Sequence, residues 1–230
     1  MAQGARACVE SGAGTTDRSV RQGKNAAHVD ALLIDFDGVL RHWPASDAEI
    51  ETAHGLPVGT IRETAFAKEL LDPAITGVVA DEAWRSAVAV RLAERFPESA
   101  ASEATAQWAR STGVVDKRVL DLLNACSPTL RLVLVTNATT RLPQDLSALG
   151  LTGRFHAVAN SSELGVAKPQ VEFFQHALRL ANAAAEHVIY VDDAPGHIAA
   201  AARMGIASHP FSGYESMRDF LGEAGVIEAG

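Results

Sequence analysis

Cysteine is scarce in this chain: of its 230 residues, only Cys8 and Cys126 are cysteines. They match no metal-binding spacing and suit a reducing compartment, so we expect a cytoplasmic protein. Long apolar runs are also missing, since no stretch approaches the roughly 18 residues that a membrane span needs. The basic N-terminus lacks the apolar segment of a signal peptide. These absences argue against a disulfide-stabilised secreted domain and against a membrane protein.

An excess of positive charge is absent as well. The formal net charge is −8, and because residues 1–29 contain more basic than acidic side chains, the acidic excess lies in the remainder. An acidic excess over residues 30–230 argues against nucleic acid as a partner. It is compatible with a small anionic substrate, because a bound metal ion can reverse the local field. The composition gives no indication of an oligomeric state.

Short apolar runs that end in polar residues predict the strands of a parallel sheet. These runs are Ala31–Ile34, Leu130–Val135 and His187–Val191, with Phe155–Ala159 as a fourth. Helical patterns that follow them span 140–149, 169–182 and 196–204. Strands alternating with helices predict an α/β fold, in which a Rossmann-like parallel sheet carries helices on both faces.

The stretch 43–115 interrupts this alternation. It lacks β-branched apolar runs, and its helical patterns are separated by Pro and Gly; they span 47–54, 58–67, 81–96 and 98–111. We predict an inserted helical cap subdomain at 43–115, with a core domain formed by 30–42 and 116–230. Residues 1–29 are rich in Gly, Ser, Thr and Ala and lack periodicity, which predicts a disordered extension.

Polar residues with catalytic potential follow the predicted strands. In open parallel sheets, ligands bind beyond the carboxyl ends of the strands. Those ends hold Asp35, Asp37, Thr136, Asn137, Asp192 and Asp193. Four carboxylates in one place would repel one another unless a cation lay among them. The cluster therefore predicts a hard divalent metal, and Mg²⁺ suits an all-oxygen site that keeps waters and a substrate phosphate as ligands.

The pair Asp35 and Asp37 is the first candidate for covalent chemistry. Because only Phe36 separates them, we expect both side chains to point the same way in an extended segment. One carboxylate could attack a phosphoryl group and form an aspartyl-phosphate, while the other moves protons. Gly38 would let backbone amides approach an oxyanion closely. The alternative is that these four residues form an ordinary turn.

The other strand-end residues also have structural alternatives. Thr136 and Asn137 could hold a phosphate oxygen or cap the next helix. Lys168 could bridge the nucleophile and the phosphate, or it could be a solvated loop lysine. Asp192 and Asp193 could ligate metal or serve as first-turn acids of a helix. Each signal is weak alone, whereas their order and placement are specific.

The motifs, in this order, resemble those of the haloacid dehalogenase-like (HAD) hydrolase superfamily. The first motif reads Asp35-Phe36-Asp37-Gly38-Val39-Leu40, the second is Thr136-Asn137, the third is Lys168-Pro169 and the fourth is Asp192-Asp193. The resemblance covers residues 30–215. The insertion between the first two motifs resembles the helical C1 cap that phosphatase-type members of subfamily I carry.

This resemblance implies a role for each motif residue. Asp35 matches the nucleophile, which is also a metal ligand. Asp37 matches the general acid/base, whose backbone carbonyl also contacts the metal. Thr136 and Asn137 match the phosphate-binding position, and Lys168 matches the residue that restrains the nucleophile and the phosphate.

The fourth motif supplies the remaining metal ligands of the resemblance. Asp193 matches the direct ligand, and Asp192 matches its neighbour, which acts through water. One departure follows: many relatives carry Asn where this chain has His197. We expect His197 to be a first-turn residue that faces solvent or caps the helix; if it faced the site instead, it would alter pH dependence near neutrality.

The function predicted from these residues is Mg²⁺-dependent hydrolysis of a small phosphorylated metabolite. A HAD-type phosphomutase, a 2-haloacid dehalogenase and a noncatalytic binding protein of this fold are the alternatives. Asp37 favours phosphoryl transfer, because dehalogenation does not need this second acid. The cap would select the substrate, and its candidate pocket residues are His42, Trp43, Phe66 and Trp84. For Phe66 and Trp84, packing inside the cap is the expected alternative.

Overall fold

A computed structural model describes residues 28–44 and 47–227, so most of the predicted N-terminal extension lies outside the described residues. The strands are β1 (Ala31–Ile34), β2 (Arg41–His42), β3 (Val114–Val115), β4 (Arg131–Thr136), β5 (Ala157–Asn160), β6 (Val188–Asp192) and β7 (Ala207–Pro210). The helices are α1 (Asp47–Ala53), α2 (Thr60–Ala65), α3 (Lys68–Ile75), α4 (Asp81–Ala93), α5 (Glu98–Trp108), α6 (Lys117–Asn124), α7 (Leu142–Ala148), α8 (Ser161–Leu164), α9 (Val171–Ala181), α10 (Pro195–Arg203) and α11 (Tyr214–Glu223). Within the described ranges, none of these helices has both the length and the apolar character that a membrane crossing requires.

Five parallel strands form the central sheet, in the order β5-β4-β1-β6-β7. The central strand β1 pairs Ile34 with Leu134 of β4 on one side and with Val191 of β6 on the other. This register aligns the carboxyl ends of the three central strands. Residues that follow those ends are therefore brought to one edge of the sheet.

Both faces of the sheet are covered, which explains why the central strands are apolar along their whole length. Leu32 and Ile34 pack on one face with residues of α6, α7 and α11. Ala31 and Leu33 point to the opposite face and pack with residues of α9 and α10. This alternation is the period of a strand whose two faces are both buried. The predicted α/β fold with a helix-covered parallel sheet is confirmed.

Helices α1 to α5 lie between β2 and β3 and have an apolar cluster of their own. Its buried members include Ile61, Trp84, Val88 and Leu92. The rings of Trp84 and Trp108 meet edge to face with centroids 5.6 Å apart. The linkers that enter and leave this segment pair with each other as the antiparallel ribbon β2–β3. The cap and core boundaries given above stay a prediction.

The helical segment also contacts the core beside the strand ends. Gly77, with φ +71°, lies so close to α8 that a Cβ built on it would be 2.0 Å from the Ser162 carbonyl oxygen. Asp81 accepts a hydrogen bond from the Thr139 hydroxyl at 2.7 Å, and its N–H donates to Thr140 Oγ1 at 3.0 Å. The helical segment is thus seated on the loop that follows β4.

Candidate active site

Lys168 lies at the centre of the strand-end cluster. Its Nζ is 2.8 Å from Asp35 Oδ1 and 2.7 Å from Asp192 Oδ2, and it also donates to the Val135 carbonyl at 3.1 Å. All three partners stand at the ends of neighbouring strands. Lys168 is 4% exposed, so the structure places it inside the site and not on the surface.

The backbone on either side of Lys168 is held by Asn137. The Asn137 side chain donates to the Lys168 carbonyl and accepts from the Lys168 N–H, both at 2.8 Å. The Asn137 side chain therefore joins the second motif to the third, and the phosphate contact predicted for this position stays a prediction. Thr136, the last residue of β4, is almost fully buried beside it.

Burial and the charges of the cluster shift the pKa values in opposite directions. Burial raises the pKa of Asp35 to about 7, against the lowering effect of Lys168. Burial alone would raise the pKa of Asp192, but hydrogen bonds from His197 and the charge of Lys168 lower it below its usual range. Burial would lower the pKa of Lys168, yet the charges of Asp35 and Asp192 outweigh this and raise it. Lys168 is therefore a cation at neutral pH, and Asp192 is its constant counter-ion.

Three carboxylates are close enough to share one cation. Asp35, Asp192 and Asp193 each offer an oxygen, and these oxygens lie within 4.8 Å of one another. Asp35 and Asp192 are buried, whereas Asp193 is exposed. An all-oxygen donor set that is open on one side fits Mg²⁺, which keeps several waters when bound.

Gly38 makes room for one of these carboxylates. A Cβ built on Gly38 would lie 2.0 Å from Asp193 Oδ2, and φ is +89° at this residue. The Gly38 N–H donates to the Arg41 carbonyl at 2.8 Å and closes the turn after β1. Gly38 thus provides space for Asp193. The predicted approach of backbone amides near Gly38 to an oxyanion stays a prediction.

Asp37 and Asp35 have different hydrogen-bond partners. β1 ends at Ile34, before both residues, and the shared direction of their side chains stays a prediction. Asp35 faces Lys168, whereas the Asp37 carboxylate accepts from Arg41 Nε at 2.7 Å and from Arg41 Nη2 at 2.8 Å. The Trp43 indole N–H donates to Asp37 Oδ1 at 2.7 Å.

His197 faces the site, contrary to the solvent-facing or capping position expected from the sequence. Its Nδ1 lies 3.1 Å from both Asp192 oxygens. The Tyr190 hydroxyl also donates to Asp192, and the Ala194 N–H donates to Asp192 Oδ1 at 2.7 Å. Sequence reasoning missed Tyr190 as a site residue, although its position two before Asp192 on β6 gave the signal: alternate residues share one face.

The four candidate pocket residues of the cap have different environments. Trp84 is buried in the helical cluster and donates to the Ala65 carbonyl at 3.2 Å, so it packs as expected. Phe66 is 48% exposed, so packing inside the cap does not describe it. Trp43 contacts Asp37, and His42 Nε2 lies 3.6 Å from Asp116 Oδ2. Of the four, Trp43 is the one in contact with a predicted catalytic residue.

The family model for haloacid dehalogenase-like hydrolases matches residues 29–205 of the sequence. This match spans most of the chain and includes all four motifs. The protein therefore belongs to the haloacid dehalogenase-like hydrolase family. No significant match was found among curated protein sequences.

Solved structures agree with this assignment at the level of the fold. A HAD family enzyme from Bacteroides thetaiotaomicron superposes with a TM-score of 0.64 at 16% identity, covering 80% of this chain and 93% of its own. A HAD-like family hydrolase of Porphyromonas gingivalis gives 0.62 at 21% identity, covering 80% and 91%. L-2-haloacid dehalogenase from Xanthobacter autotrophicus gives 0.59 at 19% identity, covering 80% and 78%.

Proposed function

We propose that this hydrolase is a Mg²⁺-dependent phosphatase that acts on a small phosphomonoester, in the cytoplasm. The observation that carries the proposal is the cluster at the strand ends, in which one buried lysine contacts Asp35 while three carboxylates converge. Support also comes from the Bacteroides thetaiotaomicron enzyme, which has been solved in complex with magnesium and inorganic phosphate.

The first half of the proposed reaction breaks the ester bond. Asp35 attacks phosphorus through a carboxylate oxygen, the bond from phosphorus to the alcohol oxygen breaks, and protonated Asp37 gives its proton to the departing oxygen. Lys168 stays hydrogen-bonded to Asp35 and fixes the direction of its attack. The products of this half are the free alcohol and an aspartyl-phosphate on Asp35.

The second half releases phosphate. Water attacks the phosphorus of the aspartyl-phosphate, Asp37 takes one proton from it, and the bond between phosphorus and Asp35 breaks. Asp35, Asp193 and Asp192 would hold Mg²⁺, which neutralises charge on the phosphoryl oxygens when bound. Both oxygens of Asp192 already accept hydrogen bonds, from Lys168 and from the Ala194 N–H, whereas those that Asp35 accepts within the described residues all go to Oδ1. Asp35 and Asp193 would therefore be direct ligands, and Asp192 would act through water. Thr136 and the Asn137 backbone would contact the phosphate.

The second candidate is 2-haloacid dehalogenase activity, which is favoured by the likeness to the Xanthobacter autotrophicus enzyme, also solved with chloropropionic acid covalently bound. Such a reaction needs an attacking carboxylate but has no use for a divalent cation at Asp193. The cation-compatible cluster therefore favours the phosphatase.

The test is turnover on a panel of substrates. Phosphate release from 4-nitrophenyl phosphate and from sugar phosphates should require Mg²⁺ and disappear in Asp35→Asn. The control Asp121→Asn, an exposed aspartate on α6, should retain wild-type activity. Acid quenching of Asp37→Asn during turnover should trap a phosphoenzyme that hydroxylamine cleaves.

Other outcomes of the same panel identify the alternatives. Chloride release from 2-chloro acids without phosphatase activity would favour the dehalogenase. Isomerised sugar phosphate would favour a phosphomutase. Absence of Mg²⁺-dependent turnover with every substrate would count against the proposed phosphatase.

A further inference from the structure

Arg41 is a buried charge that neither the motifs nor the proposed reaction explains. It lies on β2, is 4% exposed, and has two aromatic rings close to its guanidinium. Its Cζ is 4.2 Å from the centre of the Phe36 ring and 4.4 Å from that of the Trp43 ring. Burying a guanidinium is costly unless its donors are paired, so its partners indicate what this position requires.

Two carboxylates share the guanidinium. Nε and Nη2 form a two-pronged pair with Asp37 at 2.7 and 2.8 Å, and Nη1 donates to Asp145 Oδ2 at 2.8 Å. Only the planar fork of arginine reaches both oxygens of one carboxylate while a third nitrogen bonds elsewhere. Asp145 accepts from Nη1 only, so Asp37 is the acceptor that Nε and Nη2 require, and the same two hydrogen bonds fix the orientation of its carboxylate.

The network continues into the linker by which the chain leaves the helical segment. Arg141 Nε lies 2.8 Å from Asp145 Oδ1. Its Nη1 and Nη2 donate to the carbonyls of Ala109 and Ser111 at 2.6 and 2.9 Å. We call Asp37, Arg41, Asp145 and Arg141 the Arg41 network. It joins the proposed acid/base to the backbone of 109–111.

The pairing also distinguishes the two oxygens of Asp37. Oδ1 accepts two hydrogen bonds, from Arg41 Nε and Trp43 Nε1, whereas Oδ2 accepts one, from Arg41 Nη2. A carboxylate oxygen has two acceptor positions, so Oδ2 keeps one of them open among the described residues. Rotation of the carboxylate would break the fork.

We propose that Arg41 is a positioning residue that holds the Asp37 carboxylate in one fixed orientation. Trp43 completes this hold, and the Arg41 network ties it to the seated helical segment. The inference rests on the proposed function, because it assigns Asp37 the acid/base role. Arg41 acts through Asp37 and does not itself touch the reacting atoms.

The experiment is a double-mutant cycle on steady-state kcat with an alkyl phosphate at saturating Mg²⁺. Arg41→Gln should lower kcat by about 10²-fold, the size expected for a misplaced acid/base, while KM changes by less than about threefold. In an Asp37→Asn background the same change should have almost no further effect, because the two residues act as one unit. Arg41→Lys, which lacks the fork, should not restore the rate.

Two further variants keep the test decisive. Arg118→Gln removes an exposed arginine that also lies over an aromatic ring and should leave kcat unchanged. If Arg41→Gln fails to fold, Trp43→Phe replaces it in the test. This variant keeps an aromatic ring next to the Arg41 guanidinium but removes the N–H that donates to Asp37. It should lower kcat only when Asp37 is present. Trp43 is 46% exposed, so this variant should fold normally.

The outcomes separate this inference from the function on which it rests. A loss of kcat that appears only when Asp37 is present supports the inference. If the wild-type enzyme is active but Arg41→Gln lowers kcat by the same factor with Asp37 and with Asn at this position, the positioning role is overturned and the phosphatase proposal is not. Wild-type enzyme without phosphatase turnover would overturn both.

Discussion

Gly38→Ala should disable metal binding far more than it disturbs folding. The added Cβ would lie 2.0 Å from Asp193 Oδ2, whereas ordinary contact begins at 3.4 Å, so the carboxylate must retreat by more than about 1 Å. Mg²⁺ demands near-ideal octahedral geometry with short bonds, and a displacement of this size removes a ligand. We expect Mg²⁺ affinity to fall at least about tenfold, since even outer-shell changes weaken metal sites by about 10- to 100-fold.

The matched control is Gly59→Ala, because Gly59 has φ +94° and a Cβ added there would meet no atom within 4 Å. Both substitutions carry the left-handed backbone penalty of about 1–2 kcal/mol. In a domain of this size, that penalty lowers Tm by about 2–4 °C per kcal/mol. Only Gly38→Ala carries the additional collision with Asp193.

Isothermal titration with Mg²⁺ and thermal unfolding without metal measure the two effects separately. Similar Tm values for the two variants, with weakened Mg²⁺ binding in Gly38→Ala alone, are the expected result. Equal Mg²⁺ affinity in Gly38→Ala and Gly59→Ala would refute the assignment of Asp193 as a ligand packed on this glycine.

Three other perturbations have definite expected results. Gly77→Ala should displace the helical segment, because the added Cβ would collide with Ser162, and it should raise KM. Gly55→Ala is the control, since Gly55 has the same φ of +71° but open space around it, and it should leave KM unchanged. Equal KM values for the two variants would contradict a role for the contact between Gly77 and Ser162. Lys168→Met should destabilise the protein in urea by about 3–5 kcal/mol at pH 8, and less at pH 5, where Asp35 is protonated because its pKa is raised to about 7; a pH-independent loss would speak against unpaired buried charge. The pKa of Asp35 is raised to about 7, so below that pH metal binding must displace its proton. Mg²⁺ affinity measured by titration should therefore weaken about tenfold per pH unit below 7. An affinity that does not change with pH would exclude Asp35 as a ligand.

Sequence patterns predicted the central sheet well because its strands are buried on both faces. Runs such as Ala31–Ile34 are continuously apolar, and a strand with both faces buried is one of the few elements that require such a run. The edge strand β7 was missed, since its sequence Ala-Ser-His-Pro is short and polar, and an edge strand tolerates Pro. Helix α3 was missed because Pro73 lies inside it and indicated a break between helices.

The candidate site shows a similar division between local and long-range signals. Motif order led to Lys168 and to Asp35, Asp192 and Asp193, which the sheet register brings together. It could not lead to the Arg41 network, because Arg41 and Asp145 are far apart in sequence and meet only through the tertiary fold. His197 was misjudged because its orientation depends on where α10 begins relative to Asp192, and periodicity does not determine that.

The β2–β3 ribbon has a consequence for how this enzyme could be remodelled by protein engineering. His42 and Val114 are paired neighbours in the ribbon, so the inserted helices begin and end at a single point on the core. A short turn could therefore replace the whole insertion while each core strand keeps its register. Helices of another composition could be grafted at the same point, provided that Trp43, which contacts Asp37, and residues 109–111, which contact Arg141, are kept. The ribbon thus defines a single joint at which the insertion could be exchanged.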